Sequence, residues 1–175
     1  MDTYYDLVII GAGPAGMTAA IYGARADLKV LMLDKLAPGG QIINTNEIQN
    51  YTGMGTINGA ELAMQMFNHT QELNVAFDYG TVNKIEDNGD TKKIYIEEDA
   101  DKVITAKAII LATGTTPRRL NIPNEDKFIG NGISFCAICD GASYRDKDVV
   151  VIGGGNSAVE ESIYLAGIVK SLTIV

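Results

Sequence analysis

Apolar and polar positions change period along the chain, and each change marks an element. Residues 7–10 (Leu-Val-Ile-Ile) form an unbroken apolar run between Asp6 and Gly11, which predicts a buried strand. A glycine turn follows, then a helix over about 14–26 and a second apolar strand over 29–34, so the chain opens as a βαβ unit. Residues 36–58 are irregular and rich in Asn. Beyond them Leu62, Met66 and Leu73 fall close to one helical face, and 75–77 begins another strand. Short runs over 82–85, 93–97 and 103–105 are separated by Asn88-Gly89 and by an acidic turn over 98–101, a pattern that suits an antiparallel meander. Residues 108–112 read as one more strand, a buried one, ending at Thr113-Gly114.

The same cycle then starts again: a strand over 149–152, the run Gly153-Gly154-Gly155, a helix from about 157 to 166, and a strand over 171–175. Setting Gly11 on Gly153 superposes Gly13 on Gly155 and Gly16 on Ala158. The expected fold class is therefore α/β. It comprises two Rossmann-like dinucleotide-binding units in three layers, with parallel sheets and a small antiparallel meander. The boundary falls near 115–117, giving a first domain over 1–115 and the start of a second over 116–175. Because the chain stops on an apolar strand with no element after it, the second unit is expected to be truncated.

Composition narrows the function. Nineteen glycines and only four prolines among 175 residues indicate many tight turns or close backbone approaches. A net charge of -8 has the wrong sign for holding a phosphate backbone, so nucleic acid is not an expected partner. The uncharged stretch 7–24 is long enough to test as a membrane span, but Gly11, Gly13, Pro14, Gly16 and Gly23 interrupt it, and neither a span nor a signal peptide is expected. The two cysteines, Cys136 and Cys139, form one C-x-x-C, with no secretory signal to suggest a structural disulfide framework. His69 alone would have to complete a zinc site, far away on a predicted helix, so no metal is expected.

One G-x-G-x-x-G is a weak signal, and its context gives it weight here. In Gly11-Ala12-Gly13-Pro14-Ala15-Gly16 the first glycine permits the turn, the second lets a pyrophosphate approach, and the third lets helix pack on strand. Asp34, 23 residues after Gly11, stands where an acidic residue holds ribose hydroxyls. Gly153, Gly154, Gly155, Asn156, Ser157 and Ala158 repeat the context, so two dinucleotides are expected. The position that would separate NADH from NADPH in this second motif falls just past Val175. Cys136 and Cys139 read either as buried apolar thiols or as an attacking and a resolving sulfur. Their place between two nucleotide motifs, beside Gly132, Asp140 and Gly141, favours the redox reading, with Asp140 able to move the proton that thiolate chemistry needs.

Together Gly11 to Gly16, Gly39-Gly40-Gln41, Ala112-Thr113-Gly114, Cys136-Ala137-Ile138-Cys139-Asp140-Gly141 and the run from Gly153 through Ala158-Val159-Glu160-Glu161 resemble the low-molecular-weight thioredoxin reductases. The likeness spans the chain in order, with the cysteine segment its most specific piece. That family is longer, its NADPH domain continuing past Val175 and a C-terminal segment completing the FAD domain. The resemblance implies FAD on Gly11, Gly13, Pro14, Ala15, Gly16, Asp34, Lys35, Gly39, Gly40, Gln41, Asn50, Val82, Ala112, Thr113 and Gly114. It implies NADPH on Gly153, Gly154, Gly155, Asn156, Ser157, Ala158 and Glu160. Cys139 would face the flavin, Cys136 would attack the disulfide of thioredoxin, and Asp140 would donate and accept the proton. It further implies rotation of one domain against the other, with a hinge strand near 115–117, and a homodimer; a cytoplasmic location is expected from the absence of a targeting signal and the need for reduced nicotinamide. Two positions depart from the family pattern: Asp34 stands where Glu is commoner, and Tyr51-Thr52-Gly53 lacks a proline often found before that glycine.

Two other readings compete. One is an oxygen-dependent dithiol oxidase of the same fold, against which a second nucleotide motif argues. The other is a non-catalytic nucleotide-binding fragment, on which reading the isolated 175-residue chain is weakly active or inactive.

Overall fold

The computed structural model describes residues 4–175, without the side chains of residues 100 and 101. It divides into two compact units, one running to Gln49 and over Thr56–Thr116, the other comprising Asn50–Gly55 and Pro117–Val175.

The first unit is one six-stranded sheet. Strand β1 (Tyr4–Ile10) leads through helix α1 (Pro14–Arg25) to β2 (Val30–Asp34). Helix α2 (Gly59–Glu72) then leads to β3 (Ala76–Tyr79), followed by β4 (Val82–Asp87), β5 (Lys92–Ile96) and β6 (Asp99–Leu111). The strand order is β3-β2-β1-β6-β5-β4, parallel from β3 to β6 and antiparallel from β6 to β4. Helix α2 begins where the Asn58 side-chain oxygen accepts the Ala60 and Glu61 N–H groups, at 2.9 and 3.4 Å.

The apolar runs of β1 and β2 are unbroken because both faces of the parallel sheet are covered. Leu7, Ile9, Val30 and Met32 meet Met17 and Ala20 of α1, with Met66 and Phe67 of α2 packed alongside. Val8, Ile10, Leu31 and Leu33 meet Ile94, Ile96 and Ile104 of the meander on the other side. The unit therefore has three layers: helices, parallel sheet and meander. Complete burial of side chains such as Ile9, Met32 and Leu33 contributes about 1.5–3 kcal/mol each.

Several sequence expectations need correction. Residues 103–105 and 108–111 do not form two strands; they lie in the single 13-residue β6, which ends one residue before Ala112. Its first part pairs antiparallel with β5 and its later part parallel with β1, so the change of partner in mid-strand reads as a break in the pattern. The acidic turn over 98–101 is placed too late, because Asp99 already belongs to β6. Residues 108–112 are less buried than expected, Ile110 and Leu111 being exposed at 40% and 66%. The irregular stretch 36–58 holds a 3₁₀ turn, Gly40–Asn44, and Asn50 groups with the second unit instead of the first.

The second unit holds α3 (Glu125–Phe128), α4 (Ala137–Asp140), a 3₁₀ turn (Gly141–Tyr144), β7 (Asp148–Val151), α5 (Asn156–Ala166) and β8 (Ser171–Ile174). Strands β7 and β8 pair in parallel around α5, completing the second strand–turn–helix–strand.

Candidate functional site

The first glycine turn sits at the carboxyl ends of β1, β2 and β6, where open parallel sheets bind ligands. Gly11 has φ +108°, and a Cβ there would lie 2.2 Å from the Ala112 carbonyl oxygen. A Cβ on Gly16 would lie 1.8 Å from the Gly11 carbonyl oxygen. Close packing within the protein thus accounts for both residues. It does not account for Gly13, which has an ordinary φ of -76° and only Gly40 Cα near a would-be Cβ, at 3.9 Å. Gly13 is the N-cap of α1 and makes no side-chain cap, so the space beside it borders the positive end of a helix dipole. A pyrophosphate fits that opening, and a larger residue would narrow it.

The neighbouring segments gather on this turn. Ala12 N–H donates to Asp34 Oδ2 at 2.7 Å, and Leu36 N–H to Asp34 Oδ1 at 3.0 Å. Gly39 N–H donates to the Ala12 carbonyl at 2.8 Å, and Gln41 Nε2 donates to the Thr115 carbonyl at 3.2 Å. Ala112 N–H donates to Ile10 O at 2.8 Å, which brings Ala112, Thr113 and Gly114 to the same end of the sheet. Gly80 N–H bonds Asp34 O at 3.0 Å, so Val82 begins β4 two residues beyond that end, its side chain packed on the core. Lys35 is exposed beside Asp34. Asn50 stands apart: the Ile48–Ile57 bridge closes the base of a loop whose Asn50–Gly55 portion groups with the second unit.

In the second unit Gly153 has φ +139° and its N–H donates to the Val175 carbonyl at 2.8 Å. Gly155 caps α5 with no side-chain partner, and a Cβ on Gly154 or Gly155 would meet nothing within 4 Å. Asn156, Ser157 and Glu160 are exposed in the first turns of α5. The two glycine turns therefore share one feature, an uncrowded glycine at a helix N-cap.

Cys136 and Cys139 are joined by a disulfide across α4. Cys136 is half-buried and Cys139 exposed. Cys136 Sγ accepts the Cys139 N–H at 3.2 Å, a contact that favours a thiolate on Cys136 once the pair is reduced. Asp140 ends α4, its Oδ2 accepting the Ser134 hydroxyl proton at 2.5 Å. Burial and the nearby Asp140 charge push the Tyr144 hydroxyl above its ordinary value, against an opposing hydrogen bond from the Gly132 backbone. Glu161 Oε2 accepts the Ala137 N–H at 2.8 Å and so ties the residue after Cys136 to α5. A cavity of about 320 Å³ lies beside the turn, with Ser134, Ala137, Tyr144, Ser157 and Glu161 among its lining. Ser134 lies in no sequence motif, and Glu161 stands in the run after Gly153 with no role assigned to it. For Glu161 the signal was its place one residue after Glu160, on the helix that follows the glycine turn.

Two glycine turns with uncrowded N-caps, and a disulfide on a helical turn hydrogen-bonded to the helix that the second one opens, are features of the nucleotide-dependent disulfide oxidoreductase class. The chain belongs to the pyridine nucleotide-disulphide oxidoreductase family, whose model matches residues 5–175. It is 46% identical to the thioredoxin reductase of Mycoplasma genitalium over 171 residues, and 43% identical to that of Bacillus subtilis over 174. These alignments cover 98% and 99% of this chain and 54% of each relative. The crystal structure of thioredoxin reductase from Streptococcus pyogenes superposes with a TM-score of 0.93 at 48% identity, covering 99% of this chain and 56% of that one. The chain thus spans about half the length of the curated relatives it matches. The family implies a flavin and a pyridine nucleotide, and the open space at Gly13 and at Gly155 fits the phosphates of both. Among the described residues no cluster could hold a metal ion and no helix is long and apolar enough to cross a membrane.

Proposed function

We propose that this chain carries the redox half of an enzyme that moves two electrons from NADPH, through FAD, to the disulfide of thioredoxin. The observation that carries the reading is the Cys136–Cys139 disulfide on a turn hydrogen-bonded to α5, the helix opened by the second glycine turn. In this reading residues 1–115 form the FAD domain and 116–175 begin the NADPH domain. Gly11, Gly13, Pro14, Ala15, Gly16, Asp34 and the segments around Gly40 and Thr113 hold FAD, while Gly153 to Ala158 and Glu160 hold NADPH. The chemistry supplied by the bound cofactors is hydride transfer from nicotinamide to flavin and reduction of the Cys136–Cys139 disulfide.

The chain's own residues do the rest. With the pair reduced, the Cys139 N–H stabilises a thiolate on Cys136, which attacks one sulfur of the substrate disulfide. A mixed disulfide forms, and the departing substrate thiolate takes a proton from Asp140. Asp140, now ionised, takes the Cys139 proton, the Cys139 thiolate attacks Cys136 Sγ, and the second substrate thiolate leaves and takes that proton from Asp140 as the Cys136–Cys139 disulfide is restored. Two thiols have been oxidised and one disulfide reduced. A cytosolic homodimer is the setting in which we place it.

Anaerobic titration of the purified chain with NADPH, followed in the visible spectrum with Cys139→Ser as control, tests this. A yellow protein that bleaches, and in wild type alone passes electrons to thioredoxin disulfide, is the expected result. Flavin that does not bleach would assign this chain cofactor binding without turnover.

A further inference from the structure

Ser134 belongs to none of the sequence motifs, yet its hydroxyl touches three groups of the redox turn. Its Oγ lies 2.5 Å from Asp140 Oδ2 and 3.3 Å from the Cys136 carbonyl oxygen, and it accepts the Cys136 N–H at 3.1 Å. A hydroxyl has one proton to give and two lone pairs to accept with. When Asp140 is ionised, the serine proton goes to Oδ2, the nearer and charged acceptor, while the Cys136 carbonyl keeps the Asp140 N–H at 3.1 Å. When Asp140 is protonated, its O–H donates to Oγ, and the serine proton swings to the free lone pair of the Cys136 carbonyl. The Cys136 N–H stays on the remaining lone pair in both states. In both states each proton of these groups has an acceptor among contacts already in place, and only hydrogens need to move.

We propose that Ser134 is a positioning residue for proton exchange at Asp140, its rotating hydroxyl supporting both the charged and the neutral carboxyl. The proposal rests on the reading of Asp140 as the proton donor and acceptor. Other titratable groups border the turn: Cys136 and Cys139 on it, Tyr144 in the following 3₁₀ turn, and Glu161 and Tyr164 from α5, Tyr164 lying against Gly141. Among the described residues Ser134 is the side chain hydrogen-bonded to the Asp140 carboxyl, and Glu161 is engaged with Ala137 instead.

The test follows thiol–disulfide exchange between the reduced 175-residue chain and oxidised glutathione from pH 5 to 9, and needs no cofactor. It compares wild type with Ser134→Ala, Ser134→Thr, Asp140→Asn and the Ser134→Ala/Asp140→Asn double variant. Ser134→Ala is expected to slow exchange about tenfold and to change the shape of the pH profile as Asp140→Asn does. Ser134→Thr restores rate and profile, and the double variant is no slower than Asp140→Asn. A wild-type rate in Ser134→Ala beside a slow Asp140→Asn overturns the role of Ser134 alone. So does a slow Ser134→Ala whose profile keeps the wild-type shape, which marks a purely structural contribution. A wild-type rate in Asp140→Asn overturns the reading of Asp140, and Ser134's role with it.

Discussion

The Ala12 amide donates to Asp34 Oδ2 at 2.7 Å, joining the first residue past Gly11 to the last residue of β2. With Leu36 N–H on the other oxygen, the carboxylate braces the turn that faces the proposed FAD phosphates before any ribose reaches it. A hydrogen bond to a charged group contributes about 1.5–3 kcal/mol net, and partial exposure moves this one toward the low end. Asp34→Ala is therefore expected to lower stability by about 1–2 kcal/mol in urea denaturation. Asp34→Asn, which keeps one oxygen acceptor, should lose about half as much. An unchanged midpoint in Asp34→Ala would mean that backbone bonds alone hold the turn.

Gly13 and Gly16 stand three residues apart and make opposite predictions. A Cβ at Gly16 has the Gly11 carbonyl 1.8 Å away, and backbone cannot yield as a flexible side chain can. Gly16→Ala should destabilise the fold by about 3 kcal/mol or more. Gly13→Ala meets nothing closer than 3.9 Å, so its thermal midpoint should stay within a degree or two of wild type while FAD retention falls sharply. Equal loss of stability in the two variants would remove the argument that Gly13 is kept open for a ligand.

Both strand–turn–helix units were legible in the sequence because their signals are local. Apolar runs of four to six residues, a glycine turn and the onset of helical periodicity all fall within a window of about 20 residues. The meander was legible too, but not the continuity of β6, since a strand that changes partner near Ala106 has no single alternation to read. Asn50 is an FAD residue by resemblance and lies within the expected first domain, 1–115, whereas Asn50–Gly55, the loop above the Ile48–Ile57 bridge, groups with the second unit. Around the dithiol the cysteines and Asp140 announced themselves by residue type. Ser134 did not, because an isolated serine is ordinary, and the Glu161–Ala137 contact spans 24 residues, which no periodicity encodes.

Acid should weaken the fold in a defined window. Asp6 is held below the usual carboxylate range by Lys107 and by the Lys29 backbone, and Glu86 by Lys84 and Tyr95. Glu98 is held down by the hydroxyl and N–H of Thr81, and Asp148 by Ser171 and Lys170. A carboxyl depressed in the folded state binds fewer protons there than in the unfolded chain, so stability rises with pH. The contribution is complete above the ordinary values of about 3.9–4.3 and is lost as pH falls through the lower folded ones. Urea midpoints should change little from these groups between pH 7 and 5, then drop as pH falls below about 4. A midpoint that holds down to pH 3 would contradict the assignment.

Glu161 and Glu160 are neighbours on α5 with separable roles. Glu161 Oε2 accepts the Ala137 N–H at 2.8 Å, fixing the residue between Cys136 and Ile138, while Glu160 is exposed on the same helix. Removing the Glu161 carboxylate leaves the Ala137 amide without that acceptor, and a charge-assisted hydrogen bond contributes about 1.5–3 kcal/mol, or roughly ten- to hundredfold in a local opening equilibrium. Glu161→Ala should therefore speed hydrogen exchange at the Ala137 amide by about tenfold or more, provided that this amide exchanges by local opening. Glu161→Gln, which still offers an uncharged oxygen, should fall between, and Glu160→Ala should leave Ala137 unchanged. If Glu160→Ala exposes Ala137 as much as Glu161→Ala does, α5 as a whole has loosened and the single contact is not what holds the dithiol turn. If only Glu161 matters, the turn bearing Cys136 is held by a carboxylate five residues along α5 from Asn156, where the proposed NADPH phosphates approach, and a shift of that helix is transmitted to the dithiol through one hydrogen bond.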